Sequence, residues 1–261
     1  MFYLGMRSSD RYLARLASIR ESRTPCDVLT VAGGVAFLHA ISTMTTSLTI
    51  VDVDPDTLSH WSLIRALIAE SSSLTDFLTL LAGRVATGSF DEHLPVFGPP
   101  VDVRPRLSSA LSATDLTNYD RTYGDLTVDE MGVGYHPAFT VRFVGMDFRH
   151  RTFNWRFGLG NLADEAHFQG LRSQLLAVPT RTCLARLEAL DFDADYPSGP
   201  SDHRTRVCLA SNCESPMFTP ADAIFLRALK TARAPVRYVS WLRDVILADG
   251  VALDGPPNGP Y

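Results

Sequence analysis

Lysine is almost absent from this 261-residue chain. Of its 24 basic residues, Lys230 is the single lysine and the others are arginines. Phosphate-binding loops of the Walker type and Schiff-base enzymes both need a lysine within a defined motif. Lys230 lies in a stretch with an ordinary helical pattern, so the sequence argues against both kinds of chemistry.

Cysteine is also scarce, and its spacing is uninformative. The four cysteines (Cys26, Cys183, Cys208 and Cys213) form no Cys-x-x-Cys pair, and the seven histidines are scattered without ligand spacing. A disulfide framework, a redox pair and a zinc site are therefore not expected. We expect a reduced, cytoplasmic protein that binds no metal.

One long uncharged stretch, Val28–Val51, has the length of a bilayer-spanning helix. It contains Gly33, Gly34 and His39 together with a run of hydroxyl residues, whereas a membrane helix is more uniformly apolar. A strand, a turn, a helix and a second strand fit this composition better. The first residues also lack the basic leader and cleavage site of a signal peptide, so we expect no transmembrane segment.

Excess positive charge is missing as well. The formal net charge is −5, with 46% hydrophobic and 20% charged residues. This composition is typical of a globular domain and excludes a disordered, collagen-like or coiled-coil chain. We expect neither a nucleic acid nor an anionic membrane as partner, while the oligomeric state is left open.

Buried strands alternate with helices in the first third of the chain. The β-branched run at 27–32 is followed by a helical pattern at 35–42, a second run at 47–52 and a helix at 56–70. Later strands are predicted at 182–187, 206–210 and 236–241, and later helices at 162–176 and 220–232. This alternation predicts an α/β fold with a Rossmann-like, doubly wound and mostly parallel sheet.

Prolines and glycines are concentrated between residues 90 and 140, which predicts an irregular central insertion. The predicted division is an N-terminal helical segment (1–26), the first half of the Rossmann-like domain (27–89), an insertion or lid over the substrate site (90–160), the second half (161–250) and a flexible tail (251–261).

The residues that suggest a ligand are Gly33 and Gly34 after the first strand and Asp52 at the end of the second. Glycines at such a turn let the backbone approach a ligand, and a carboxylate at the neighbouring strand tip accepts both ribose hydroxyls. The full Gly-x-Gly-x-x-Gly fingerprint for a pyrophosphate is missing. A nucleoside without phosphates fits better, and S-adenosylmethionine is such a ligand. The alternative is a purely structural turn.

Further cofactor contacts are expected where later strands end. Glu188, with Asp191 nearby, follows the third core strand and is a candidate for the adenine amino group. Ser211 and Asn212 follow the fourth strand at the same edge. Asp54 is a weaker candidate, because Asp-Pro-Asp is also a helix-entry signal. For Glu188, an exposed strand end is the alternative explanation.

The motifs of residues 27–84 resemble class I S-adenosylmethionine-dependent transferases. The matching segments are Val28–Gly34, Ile50–Pro55 and Asp76–Gly83, and the region 27–84 that contains them is about a quarter of the chain. Within that class the chain looks most like the betaine-lipid synthase family, which transfers a 3-amino-3-carboxypropyl group. The resemblance implies the cofactor more directly than the reaction, because residues such as Asn154–Gly158 have no counterpart.

Attack on the sulfonium Cγ would transfer the aminocarboxypropyl group, or close it into a ring, and release methylthioadenosine. Attack on the methyl group would instead make the chain a methyltransferase. Neither reaction needs a protein nucleophile, so the protein supplies alignment and at most a base for a small-molecule acceptor. The candidates are Tyr123, His136 and Arg156, each of which also has an ordinary structural explanation. A non-catalytic ligand-binding module is the third hypothesis.

Overall fold

The computed structural model describes residues 10–32, 36–87, 96–120, 165–192, 204–211, 222–240 and 242–254. The helices are α1 Asp10–Arg20, α2 Pro55–Glu70, α3 Leu74–Ala82, α4 Arg104–Ala110, α5 Ala113–Tyr119, α6 Glu165–Ala177 and α7 Ala223–Thr231. The strands are β1 Cys26–Val31, β2 Thr45–Asp52, β3 Arg84–Thr87, β4 Val96–Pro100, β5 Thr180–Leu184, β6 Thr205–Ser211, β7 Val236–Ser240, β8 Asp244–Ala248 and β9 Val251–Asp254. Short 3-10 helices lie at Ala36–Ala40 and Leu187–Ala189.

The chain divides into two compact units. One contains Met1–Arg7, Gly33–Leu38 and Asp56–Leu176; the other contains Ser8–Ala32, His39–Pro55 and Ala177–Tyr261. The second unit contains the large sheet. The first contains the helices α3 to α5, the β3–β4 hairpin and all but one residue each of α2 and α6.

In the sheet unit, the described strands form one seven-stranded sheet in the order β5-β2-β1-β6-β7-β8-β9. The strands from β5 to β7 are parallel, while β8 and β9 are antiparallel to their neighbours. Numbered along the chain, the parallel strands lie in the order 3-2-1-4-5, which is the Rossmann arrangement. The prediction of a Rossmann-like, mostly parallel α/β sheet is confirmed.

The core of the sheet unit is formed by the apolar side chains of the central parallel strands. Leu29, Cys208 and Tyr238 are fully buried, as expected for parallel strands covered on both faces. Helix α7 packs on one face, where Phe225 contacts Tyr238 at a ring-centroid distance of 5.7 Å. On the opposite face of β7, Arg237 donates a hydrogen bond to Ser18 of α1. The sheet therefore has helices on both faces, as the doubly wound pattern predicts.

The uncharged stretch from Val28 to Val51 forms most of β1, the first 3-10 helix and β2. Among the described residues, no helix combines the length and the apolar character that crossing a membrane requires.

In the helical unit, α6 lies antiparallel along α2 and also contacts α3. Arg172 donates to the carbonyl oxygens of Ile68 and Ala69, and Arg65 donates back to the carbonyl of Leu175. At the start of α6, Glu165 accepts from the backbone N–H of Leu74 at 2.9 Å. Because each arginine satisfies carbonyls in the last turn of the other helix, α2 and α6 cap one another.

Helix α3 has clear signals at both ends. The Ser73 hydroxyl accepts the backbone N–H of Asp76 at 3.0 Å, which is an N-cap. At the other end Gly83 adopts a left-handed conformation with φ 63°, and its N–H bonds to the carbonyl of Thr79. Arg106 pairs with both oxygens of Asp76 and with Glu70, and so ties α4 to the ends of α2 and α3. The Arg106 guanidinium lowers the pKa of Asp76 to about 2.

Several predicted boundaries need correction. The helix predicted at 35–42 is the shorter 3-10 helix Ala36–Ala40, and the third parallel strand is Thr180–Leu184 rather than 182–187. Strands β8 and β9 were not predicted. Since Val251–Asp254 pair with β8, the predicted tail from residue 251 begins with a strand. Residues 121–164 lie outside the described residues, and the division into insertion and sheet halves stays a prediction.

Candidate functional site

The carboxyl ends of the parallel strands meet at one edge of the sheet. From β1 the chain crosses to β2 on one side, and from β5 it crosses back to β6 on the other side of β1. The strand order therefore reverses between β1 and β6. In open α/β sheets, ligands bind outside the carboxyl ends at this switch point.

Asp52 lies at this edge as the last residue of β2. It is aligned with Leu184 of β5, and its carbonyl accepts the N–H of Ala185 at 2.9 Å. Its carboxylate Oδ1 accepts the backbone N–H of Asp54, also at 2.9 Å. This bond orients the carboxylate through one oxygen, so the side chain is held in place by its own turn.

The Asp52 carboxylate is half-buried. Burial raises its pKa above the usual range, and the backbone N–H of Asp54 offsets part of this effect. Desolvation disfavours the charged form of an acid, whereas hydrogen bonds to the carboxylate favour it. A carboxyl group that is partly desolvated at a sheet edge is typical of a functional position.

Two apolar side chains are exposed directly beside Asp52. Val53 follows it in the chain and Leu184 is its neighbour on β5, and each is 60% exposed. Neither residue was predicted from the sequence. The sequence contains a signal for Val53, because an apolar, β-branched residue between two aspartates at a strand end is unexpected in a solvated turn.

Asp54 is half-buried and provides the N–H that orients Asp52. Glu188 lies in the 3-10 helix after β5, where it pairs with Arg186 at 3.5 Å. Asp191, which follows this helix, is exposed. Asp54 follows β2 and Glu188 follows β5, as predicted. Their roles toward a ligand stay predictions.

Asp191 precedes Phe192, whose N–H donates to Thr231 at the end of α7 and whose carbonyl accepts from Arg206 near the start of β6. Asp191 therefore lies toward the amino edge of the sheet, and its predicted place beside the carboxyl edge was wrong.

Ser211 is the last residue of β6 and is aligned with Ser240 of β7, so it also ends at the carboxyl edge. The other predicted site residues, namely Gly33, Gly34, Asn212, Tyr123, His136 and Arg156, lie outside the described residues. Their assignments stay predictions.

Of three comparisons with known proteins, the one with solved structures found similar chains. No protein-family model and no curated protein matches the chain. Among solved structures, the rRNA methyltransferase aviRa from Streptomyces viridochromogenes is similar, with a TM-score of 0.35 and 11% sequence identity, over 90% of this chain and 75% of that one. The betaine-lipid synthase resemblance finds no support in these comparisons. The expectation that this chain binds no nucleic acid stays a prediction.

Proposed function

We propose that this chain is an S-adenosylmethionine-dependent transferase that acts on a small-molecule acceptor. The observation that carries the proposal is Asp52. It is an oriented, partly desolvated carboxylate at the end of the strand next to β1, beside the switch point of a Rossmann-like sheet.

The residues beside Asp52 fit an adenosyl group. The Asp52 oxygen that is not bound to Asp54 is suited to a ribose hydroxyl, and a carboxylate at a strand tip is the usual partner for that sugar. Val53 and Leu184 offer exposed apolar surface for the faces of an adenine ring. In this proposal Gly33 and Gly34 approach the methionine part, while Glu188, Ser211 and Asn212 complete the cofactor contacts.

S-adenosylmethionine, when bound, supplies a sulfonium whose methyl carbon or Cγ is open to attack. The protein then has to hold the acceptor in line and exclude water, and such alignment is worth about 7–11 kcal/mol in well-oriented model reactions. Tyr123, His136 and Arg156 are the proposed residues for orienting the acceptor or removing its proton.

The sequence resemblance favours attack at Cγ, while the same cofactor contacts serve methyl transfer. Mass spectrometry of the nucleosides retained and released by the purified protein decides between them. Methylthioadenosine supports Cγ attack, and S-adenosylhomocysteine supports methyl transfer. Tight cofactor binding without consumption, with every acceptor tested, would instead support the non-catalytic module.

Replacing Asp52 by alanine tests the cofactor site directly. Loss of a hydrogen bond to a charged group costs about 1.5–3 kcal/mol, so the Kd for S-adenosylmethionine should rise by about 10- to 150-fold in calorimetry. Glu21→Ala is the matched control, because it removes an exposed carboxylate just after α1. Equal affinity of Asp52→Ala and wild type would rule out a ribose contact at Asp52.

A further inference from the structure

The acceptor side of the site can be located from the strand order, if the proposed function holds. A nucleoside held by Asp52 lies over β2 and β5, on one side of the switch point. The group to be transferred then faces the other side, where β6 and β7 end at the aligned residues Ser211 and Ser240. The side chains that follow β7 are therefore next to the acceptor.

A tight turn after β7 brings Arg243 back to this edge. The Ser240 hydroxyl accepts the backbone N–H groups of Leu242 and Arg243, and the Ser240 N–H donates to the carbonyl of Arg243 at 2.8 Å. Arg15 of α1 donates to the carbonyls of Ser240 and Arg243 at 2.7 Å and 3.2 Å. The backbone of Arg243 is thus fixed by two independent groups.

The side chain of Arg243 is fixed as well. Its guanidinium carbon lies 4.0 Å from the centre of the Phe225 ring, and Phe225 itself packs edge-on against the fully buried Tyr238. The guanidinium also pairs with Asp222, the residue before α7. The Asp222 side chain is 46% exposed, whereas that of Arg243 is 27% exposed. The Asp222 carboxylate can therefore rotate away into solvent, while the Arg243 guanidinium stays against the Phe225 ring.

We propose that Arg243 is an anion-recognition residue of the acceptor site, and that a carboxylate or phosphate group of a small acceptor exchanges with the carboxylate of Asp222. A planar guanidinium binds either anion through two parallel hydrogen bonds. A recessed arginine beside a carboxylate, in a chain of net charge −5, suits a small acid rather than a polyanion.

The exchange predicts opposite effects for the two partners. The probes are acetate and inorganic phosphate, titrated separately in low-chloride buffer. Each is added to the S-adenosylhomocysteine complex and to the cofactor-free protein, and binding is followed by the arginine side-chain NMR signals. Arg243→Gln should weaken probe binding at least 10-fold, because the cation is lost. Asp222→Asn should tighten it about 3- to 10-fold, because the competing carboxylate is lost. The tighter-binding probe identifies the anion as carboxylate or phosphate.

The matched control is Arg237→Gln, which breaks the Arg237–Asp244 pair of the same β7–β8 hairpin. It should leave probe binding unchanged. Unchanged binding in both Arg243→Gln and Asp222→Asn, or shifts in the same direction, would overturn the proposal. If Arg243→Gln does not fold, Asp222→Asn alone tests the proposal. An Arg243–Asp222 pair with a purely structural role predicts no tighter probe binding in Asp222→Asn. Probe binding without S-adenosylhomocysteine binding would refute the proposed function but support the Arg243 site. S-adenosylhomocysteine binding without probe binding would refute the Arg243 site but not the proposed function.

Discussion

Folding disfavours the negative charge of the Asp52 carboxylate. Burial raises its pKa, and only part of this effect is offset by the N–H of Asp54. A group whose pKa is raised on folding contributes stability while it is protonated, and this contribution is lost as the pH rises through the folded-state pKa. At neutral pH the ionised carboxylate therefore lowers the stability of the protein. Such a cost is common at sites selected for binding.

The prediction at this residue concerns Asp52→Asn. The amide oxygen can still accept the Asp54 N–H, but the buried charge is removed, so the free energy of unfolding at pH 7 should be higher than in wild type. The difference should shrink as the pH falls below about 4, where the aspartate is protonated in both folded and unfolded chains. Urea unfolding at the two pH values measures this. A less stable variant at pH 7 would contradict it.

The sequence predicted Asp52 because position at a strand end is a local property. It did not predict Leu184, because the position of Leu184 beside Asp52 depends on the alignment of β2 with β5, which is not encoded within either strand. Arg243 was also missed. Its approach to Phe225 and Asp222 depends on the return turn after β7 and on the packing of α7, and both are tertiary features.

At the scale of the elements, the sequence contains a hairpin signal for the antiparallel strands β8 and β9, although these strands were not predicted. Asp249 and Gly250 separate two apolar runs, and both have positive φ, 49° and 77°. An Asp-Gly pair between alternating apolar segments is a strong signal for a two-residue hairpin. Strands β1 and β2 were predicted because they contain buried runs of apolar and β-branched residues. Strand β9 was missed because it is short and its residues Val251 and Leu253 are exposed.

Replacing each of two glycines in the helical unit by alanine should change the free energy of unfolding in opposite directions. Gly83 has φ +63° after α3, so Gly83→Ala should cost about 1–2 kcal/mol of unfolding free energy. Gly170 lies inside α6 with nothing within 4 Å of an added Cβ, so Gly170→Ala should stabilise by about 0.5–1 kcal/mol. Chemical denaturation of both variants measures the difference. Equal effects would mean that the backbone conformation of Gly83 is not what ends α3.

At the scale of the whole molecule, the proposed cofactor site draws its residues from strands that are far apart in sequence. The edge is assembled only when β1 pairs with β2 and β6, and β2 with β5. Strand order was predictable from the fold class, because doubly wound sheets follow few topologies. A ligand that binds this edge binds the folded chain alone, so it must raise the global stability.

The corresponding prediction uses thermodynamic linkage. S-adenosylhomocysteine at 100 times its Kd should add about 2.7 kcal/mol to the free energy of unfolding, measured by denaturation with and without the ligand. Adenosine at the same concentration should give a smaller increase, because it shares only the contacts at Asp52, Val53 and Leu184. At that concentration of S-adenosylhomocysteine, Asp52→Ala should lose about half to nine-tenths of the gain. An increase equal to that of wild type would place the nucleoside elsewhere.

The mutual capping of α2 and α6 has a consequence for how this chain can be engineered. Arg65 and Arg172 fix the two helices in register across more than a hundred residues of sequence. Replacing either arginine by a shorter side chain would leave carbonyl groups in the last turn of the other helix without that donor. A variant designed to alter one of these helices therefore has to keep both arginines.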